Sequence, residues 1–325
     1  MSKRIKFCTV VTPDYLSQAL SMVSSLLQTQ KGDLCDIDVS IFVVGGVSGQ
    51  EASLPKVSLR AVDEVIPFAA LQELGKHYSF TELCCFLKPL VMEHLLETDC
   101  DAVLYVDSDL YFTGDIIEEF LANPSDIVLT PHVSAVGAND IQQVHSILKA
   151  GVFNAGFVGV CNSHEGKSFA LWWKLCVSYS SKIFLPANLN ADQRWLDMVP
   201  VIFPTADQKG KAGWNVGHWN IAEIAHSDSG QEWLEKVRFF HFSGYKPGSE
   251  RFSIHSTLKV SDFPGLERVL AEYSERLDSF RKYDQKPNFT LVRSRWKRLL
   301  RHASNFLERS VNAMAKSGKD LRSHY

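Results

Sequence analysis

The sequence predicts an α/β fold, a Rossmann-like mixed sheet flanked by helices, and three observations predict it. The chain opens as strand, turn, helix, strand over its first 44 residues. A wholly apolar run, Ala102 to Val106, then appears in the middle of the chain with a pair of aspartates directly after it. Short apolar runs continue to alternate with stretches of helical spacing, the arrangement that packs helices on both faces of a largely parallel sheet. The 325 residues are 45% hydrophobic and 22% charged, which suits one large globular domain, or one with a small appendage.

Ile5 to Val11 reads as the first strand and Thr12-Pro-Asp-Tyr15 as a turn, since Pro13 cannot donate to a ladder. Leu16, Ala19, Leu20, Val23, Leu26 and Leu27 recur at helical spacing, and Ile37 to Val44 is a second strand stopped by Gly45-Gly46. No Gly-x-Gly-x-x-Gly occupies the first turn, so a dinucleotide fingerprint is missing. Leu59 to Val65 reads as a third strand. Tyr78 to Leu96 reads as a helix with Ser79 as N-cap and Glu82 completing a capping box, kinked or restarted at Pro89. Lys88, in this apolar stretch, either snorkels to the surface or meets an anion.

Ala102 to Val106 reads as a strand buried on both faces. Asp107 and Asp109 follow at its carboxyl end, the edge of an open α/β sheet where ligands bind. Alternate residues of an extended chain face the same way, so the two carboxylates address one object. Adjacent like charges are costly without a cation between them, and a hard divalent ion bridging to a diphosphate is the natural occupant. An Asp-x-Asp triplet alone is a weak signal, because a turn after a strand also favours Asp.

Asp115 reads as a helix cap with Glu118 and not as a ligand. Ile127 to Thr130 is a strand, a polar helix lies near Ala138 to Ala150, and Val152 to Val160 is a strand carrying Asn154 and Gly156. Glycine inside a strand marks the close approach of another group. The helix Lys167 to Tyr179 follows. Asn190 to Leu196 reads as a helix start, with Asn190 as cap and Gln193 as its partner. Trp214 to Asn220 fits either a sugar platform or a core loop. Val237 to Pro247 is a strand ending in a turn where His241, Gly244 and Lys246 offer an imidazole, backbone N–H groups and a cation, a combination that suits phosphate.

The net charge of −3 argues against a general nucleic-acid binder. Seven scattered cysteines without a Cys-x-x-Cys pair point to free buried thiols in a reducing cytoplasm. The N-terminus reads as neither a signal peptide nor a membrane span. Beyond a body of residues 1–288, the tail 289–325 is a basic amphipathic helix. Val292, Trp296, Leu299, Leu300, Ala303, Phe306, Leu307, Val311 and Met314 share one face, with arginines crowding the remainder. Residues 291–314 thus fit an anionic membrane surface, which would place the protein on the inner face of the cytoplasmic membrane; packing on the body is the alternative.

The ordered set of Thr-Pro-Asp-Tyr, Lys88, Val-Leu-Tyr-Val-Asp-Ser-Asp, Phe-Asn-Ala-Gly-Phe, Asp-Gln and His-Phe-Ser-Gly-Tyr-Lys-Pro resembles retaining GT-A glycosyltransferases of the glycogenin and bacterial lipooligosaccharide galactosyltransferase type. The Asp-Gln-Arg-Trp to Phe-His-Phe-Ser-Gly series is closer still to a bacterial group encoded among surface-polysaccharide genes. The resemblance spans about residues 5 to 250 and is more specific than any one motif. It implies the GT-A fold and transfer of a hexose from a UDP-sugar, with retained configuration, to a saccharide or lipid-linked acceptor in polysaccharide or lipopolysaccharide biosynthesis. It implies that Asp107 and Asp109, with Ser108 between them, hold Mn²⁺ (or Mg²⁺) and the nucleotide, and that His241 completes the metal site. Gly244 and Lys246 would hold the diphosphate, Thr12, Asp14 and Tyr15 the uracil, and Lys88 the donor phosphate or sugar. Asn154, Asp192 and Gln193 would lie by the anomeric carbon. The family's tryptophan after Lys-Pro is replaced by Gly248. Two other classes stay open: a sugar nucleotidyltransferase, which would need an Arg-bearing Gly-rich loop in place of Thr12 to Tyr15, and a non-catalytic sugar-binding or scaffold protein.

Overall fold

The computed structural model describes residues 2–30, 35–46, 54–122, 125–134, 141–184, 189–208, 213–225, 230–288 and 291. The tail 292–325, and with it the membrane-facing stripe, lies outside the described residues, as does the start of the polar helix near Ala138.

The strands are β1 (Lys3–Val11), β2 (Cys35–Val43), β3 (Val57–Ala61), β4 (Ala102–Val106), β5 (Leu110–Phe112), β6 (Ile127–Pro131), β7 (Phe153–Cys161), β8 (Ile183–Phe184), β9 (Leu189–Asn190), β10 (Asp207–Gln208) and β11 (Phe239–His241). The helices that matter for the site are α1 (Leu16–Thr29), α2 (Phe68–Gly75), α3 (Phe80–Leu96), α4 (Ile117–Ala122), α5 (Ile141–Ala150) and α6 (His164–Tyr179). Among the described residues the main sheet has the order β10-β6-β7-β4-β1-β2-β3. It is mixed: β1 pairs parallel with β2 and β4, while β7 runs antiparallel between β4 and β6. The expected Rossmann-like mixed sheet is therefore present.

The two faces of the sheet are buried by separate sets of helices. α1 lies over Ile5, Phe7 and Leu104 on one side, and α3 and α6 cover Cys8, Val103 and Tyr105 on the other. This two-sided burial is why β4 carries no charged residue: all five of its side chains are buried. The capping box at the start of α3 is formed, Ser79 Oγ accepting from Glu82 N–H and Glu82 accepting from Ser79 N–H.

Two element boundaries differ from the sequence reading. β3 stops at Ala61 rather than Val65, because its partner β2 ends at Val43, leaving nothing further to pair with; Val62–Glu64 turns into a 3-10 helix. Asn190 is not a helix cap. It pairs with Ile183 across β8 and β9, Ala191 then takes a left-handed φ of 47°, and a 3-10 helix begins only at Arg194. Trp214 is fully buried in the core against Phe157 and Phe239, so the core reading applies to it, not the sugar platform. Asp115 does serve a helix start, accepting from Ile117 N–H at 2.8 Å just ahead of α4. All seven cysteines are free, three of them buried. Among the described residues, no helix is long and apolar enough to cross a membrane.

Candidate active site

The aspartate pair stands at the carboxyl end of β4, level with the turn that follows β1. Two long-range pairings then add the rest. β5 and β11 pair antiparallel with Leu110 opposite His241, and Phe242 N–H donates to Asp109 C=O at 2.9 Å. That register sets the His241 imidazole beside the Asp109 carboxylate, with Nε2 3.0 Å from Oδ1. On the other side Asp107 N–H donates to Gly156 C=O at 2.8 Å. The register between β6 and β7 shifts between Leu129 and Thr130, a bulge that turns residues 154–156 toward the site.

One ligand atom each from Asp107, Asp109 and His241 lies within 4.8 Å of the others. That spacing lets the three atoms address a single ion. The donor set, two carboxylates and an imidazole, suits a divalent cation that accepts both oxygen and nitrogen ligands. Burial opposes charge on Asp109, but the adjacent His241 imidazolium outweighs it and the carboxyl lies below its ordinary range. Burial likewise works against the His241 imidazolium, and Asp109 overcomes it, raising the imidazole above its ordinary value.

Lys88 does not snorkel. It is 5% exposed, with Nζ 3.0 Å from Asp107 Oδ1, 3.2 Å from Asp192 Oδ2 and donating to Ala155 C=O at 3.1 Å. The anion it meets is thus a pair of the protein's own carboxylates. Burial pushes against its charge, yet Asp107 and Asp192 together hold the ammonium well above its ordinary value. Asp192 is pushed upward by burial despite Lys88. The two directions agree once the sharing is counted: the lysine answers to two carboxylates, the aspartate to one shared cation. Asp192 is 2% exposed and its Oδ2 meets Lys88 without an aligned hydrogen bond, which leaves an acceptor in hand. Gln193 is committed at both ends, accepting from Ala155 N–H at 3.1 Å and donating to Ala150 C=O at 2.9 Å.

The remaining expected residues spread along the same edge. Thr12 is buried, while Asp14 and Tyr15 are exposed. Ser108 donates to Gln18 of α1 at 3.1 Å. Gly244 has a φ of 69°, and a Cβ there would crowd His255 at 2.8 Å. Lys246 is exposed. Asn154 is buried, its Oδ1 accepting from Gly156 N–H at 2.9 Å and from Asn215 at 3.0 Å.

Sequence reasoning missed Asn215, Thr130, His132 and Tyr105, which stand behind the site. Tyr105 donates to Asp107 Oδ1 at 3.0 Å, and no local pattern announces it, since it is one more apolar-looking residue of β4. His132 is 6% exposed, and burial lowers its pKa to about 4 from 6.5. Between those values the unfolded chain takes up a proton that the folded chain refuses. Stability therefore falls as pH drops through 6.5 and stops falling on this account below about 4. Urea unfolding at pH 7 and pH 4.5 should show His132→Asn losing roughly 2.5 kcal/mol less than the native chain; equal losses would mean His132 titrates normally.

No protein-family model matches the chain. The Bacillus subtilis (strain 168) protein YfnF, itself described as uncharacterized, is 27% identical over 281 residues, 82% of this chain and 90% of that protein. An active-site mutant of LgtC superimposes with a TM-score of 0.51 at 16% identity, covering 85% of this chain and 95% of that one. The chain has the GT-A fold. Another structure, described as galactosyltransferase LgtC in complex with donor and acceptor sugar analogs, gives a TM-score of 0.49 at 15% identity, covering 90% of this chain and 99% of that one.

Proposed function

We propose that this GT-A chain is a metal-dependent retaining hexosyltransferase that moves a sugar from a UDP-sugar to a saccharide or lipid-linked acceptor, in the making of a bacterial surface polysaccharide. One observation carries the reading. Residues 132 positions apart, Asp109 and His241, converge with Asp107 on one point at the ligand edge of the sheet. A scaffold has no need of that convergence.

In the reaction the bond from the anomeric carbon to the phosphate oxygen breaks, its electron pair leaves with the nucleoside diphosphate, and the acceptor hydroxyl bonds to the same face of the sugar as its proton passes to the departing diphosphate. Asp107, Asp109 and His241 would hold the cation, which when bound neutralises charge developing on the diphosphate. The Gly244 turn and the exposed Lys246 supply further positive potential from the His241 side. Asp192, buried and with an acceptor oxygen in hand, would stabilise the positive charge that grows on the sugar. Lys88 keeps Asp107 and Asp192 from repelling one another and fixes both. Gln193 holds the Ala155 backbone in place beside Lys88 and Asp107.

The test is Asp109→Ala against a panel of UDP-sugars with Mn²⁺. The native chain should release UDP with one donor, and the variant should lose at least about 100-fold in turnover and its Mn²⁺-dependent UDP binding. Full activity in the variant sinks the site; release of pyrophosphate from a nucleoside triphosphate would make it a nucleotidyltransferase, and no turnover with any donor would favour a binding protein. The basic tail after Asn288 we assign to an anionic membrane surface. Its deletion should reduce sedimentation with anionic vesicles while sparing donor hydrolysis; unchanged sedimentation removes that assignment.

A further inference from the structure

Behind His241 lies a buried chain of polar side chains that the proposed chemistry does not use directly. His241 Nδ1 is 2.9 Å from Asn215 Oδ1. Asn215 Nδ2 donates to Asn154 Oδ1 at 3.0 Å and to Thr130 Oγ1 at 2.7 Å. Asn154 Nδ2 is 3.3 Å from His132 Nε2, and His132 Nδ1 is 2.8 Å from Gly151 C=O. Amide and imidazole orientations are in general interchangeable, but here both ends of the chain are anchored by backbone groups whose polarity is fixed. Gly156 N–H can only donate, so the Asn154 atom facing it is the oxygen. Gly151 C=O can only accept, so His132 carries its proton on Nδ1 and leaves Nε2 as an acceptor for Asn154 Nδ2. The Asn154 oxygen in turn demands the amide nitrogen of Asn215, and the opposite end of Asn215, its oxygen, then meets His241 Nδ1. Every bond in the chain has one allowed direction.

We infer that Asn215 is a positioning residue for the metal site: it holds a proton on Nδ1 of His241 and so reserves Nε2, the nitrogen on the Asp109 side, for the cation. The inference rests on the reading of His241 as a metal ligand. Asn154 joins the same chain, with its oxygen occupied by two donors, and acts on the site through His241 rather than on the sugar. The backbone supports the assignment independently. Asn215 has no exposed surface and a left-handed φ of 55°, a conformation that among side chains able to both donate and accept is tolerated best by asparagine. It is brought there because Val216 bridges to β11: Val216 N–H donates to Phe239 C=O at 3.0 Å, and His241 N–H to Val216 C=O at 2.8 Å. The strand that carries the ligand thus also carries its orienting partner. The low pKa of His132 fits the chain, since a neutral imidazole is needed to accept from Asn154.

Mn²⁺ affinity, read from the free-ion electron paramagnetic resonance signal without any sugar, tests the inference. Asn215→Gly keeps the backbone conformation and removes only the side chain; it should weaken Mn²⁺ binding about 10- to 100-fold, the usual effect of removing an outer-shell partner. Thr130→Val removes a hydrogen bond from the same buried network without touching His241 Nδ1, and should leave Mn²⁺ binding within about threefold. If His241→Ala binds Mn²⁺ as the native chain does, the metal reading itself fails. If His241→Ala loses the ion but Asn215→Gly stays within threefold, or Thr130→Val loses as much as Asn215→Gly, the positioning role alone is overturned. Should Asn215→Gly not fold, nitrogen-15 spectra of histidine-labelled native protein with Mg²⁺ decide the matter: a proton on His241 Nδ1 supports the role, and a bare Nδ1 overturns it.

Discussion

Replacing Lys88 with methionine is expected to destabilise the metal-free protein by about 3–5 kcal/mol, the range for stranding a buried charge. The reason is the company it keeps. Asp192 is almost fully buried and has no other cation within reach of its carboxylate among the described contacts, and Asp107 stands beside it. Methionine fills the volume of the stem but leaves two carboxylates facing each other. The protein's response should be to protonate Asp192, the group already pushed upward by burial. Two results separate this account from a simple packing loss. The double variant Lys88→Met with Asp192→Asn should recover about 2 kcal/mol or more, because the stranded charge is gone. The single variant should also lose less stability than the native chain as pH falls below 7, because protonation of Asp192 in the folded state offsets the destabilisation through His132. A single variant within about 1 kcal/mol of the native chain in urea would show that Lys88 is not the counter-charge the geometry makes it. Transfer should be lost in the single variant and should not return in the double, since Asp192 is then no longer a carboxylate.

How much of this site was legible in the sequence depends on the distance over which each residue finds its partner. The capping box at Ser79 and Glu82 is written within four residues, and the structure forms it as read. The aspartate pair was readable because a strand buried on both faces ends directly before it, so the sheet edge is a local inference. Gly156 was readable as a close approach, though not what approaches. Lys88 was singled out as anomalous in an apolar helix, but its partners lie 19 and 104 positions away and are set by how α3 crosses the sheet. Asn190 misled because Asn followed by Gln three residues on has the look of a capping pair. The left-handed Ala191 that breaks the helix there is a tertiary consequence with no composition signal. Asn215 was legible only as part of a Trp- and Asn-rich stretch, since its meaning comes from a single bridge to β11. His241 by itself is a lone histidine after a strand, and only the β5–β11 register turns it into a neighbour of Asp109. Local chemistry was thus readable, and long-range register was not.

Gly156→Ala is expected to abolish Mn²⁺ binding, by about 100-fold or more, while costing only about 1–3 kcal/mol in stability. A Cβ at this position would lie 2.7 Å from both His241 Nδ1 and Asn154 Oδ1, and closer still to His241 Cε1. The added carbon therefore strikes both the imidazole and the Asn154 oxygen that anchors Asn215 behind it. Trp219 also packs against the ring, nearly perpendicular to it with centroids 5.1 Å apart, and limits its movement. Something must give, and a shift of the ring changes the 3.0 Å approach of His241 Nε2 to Asp109 Oδ1. Gly159 is the matched control on the same strand: a Cβ there meets Phe120 at 3.1 Å and Val128 at 3.3 Å, a core crowding with no link to the site. Gly159→Ala should lose less stability than Gly156→Ala and keep its affinity for Mn²⁺. The contrast between the two, measured on metal-free melting and on free-ion titration of the same preparations, separates overpacking from loss of the imidazole's position. Retention of Mn²⁺ binding within about threefold in Gly156→Ala would mean that the imidazole has room to shift and still reach the ion. The strand's missing side chain would then be a matter of packing rather than of the metal site.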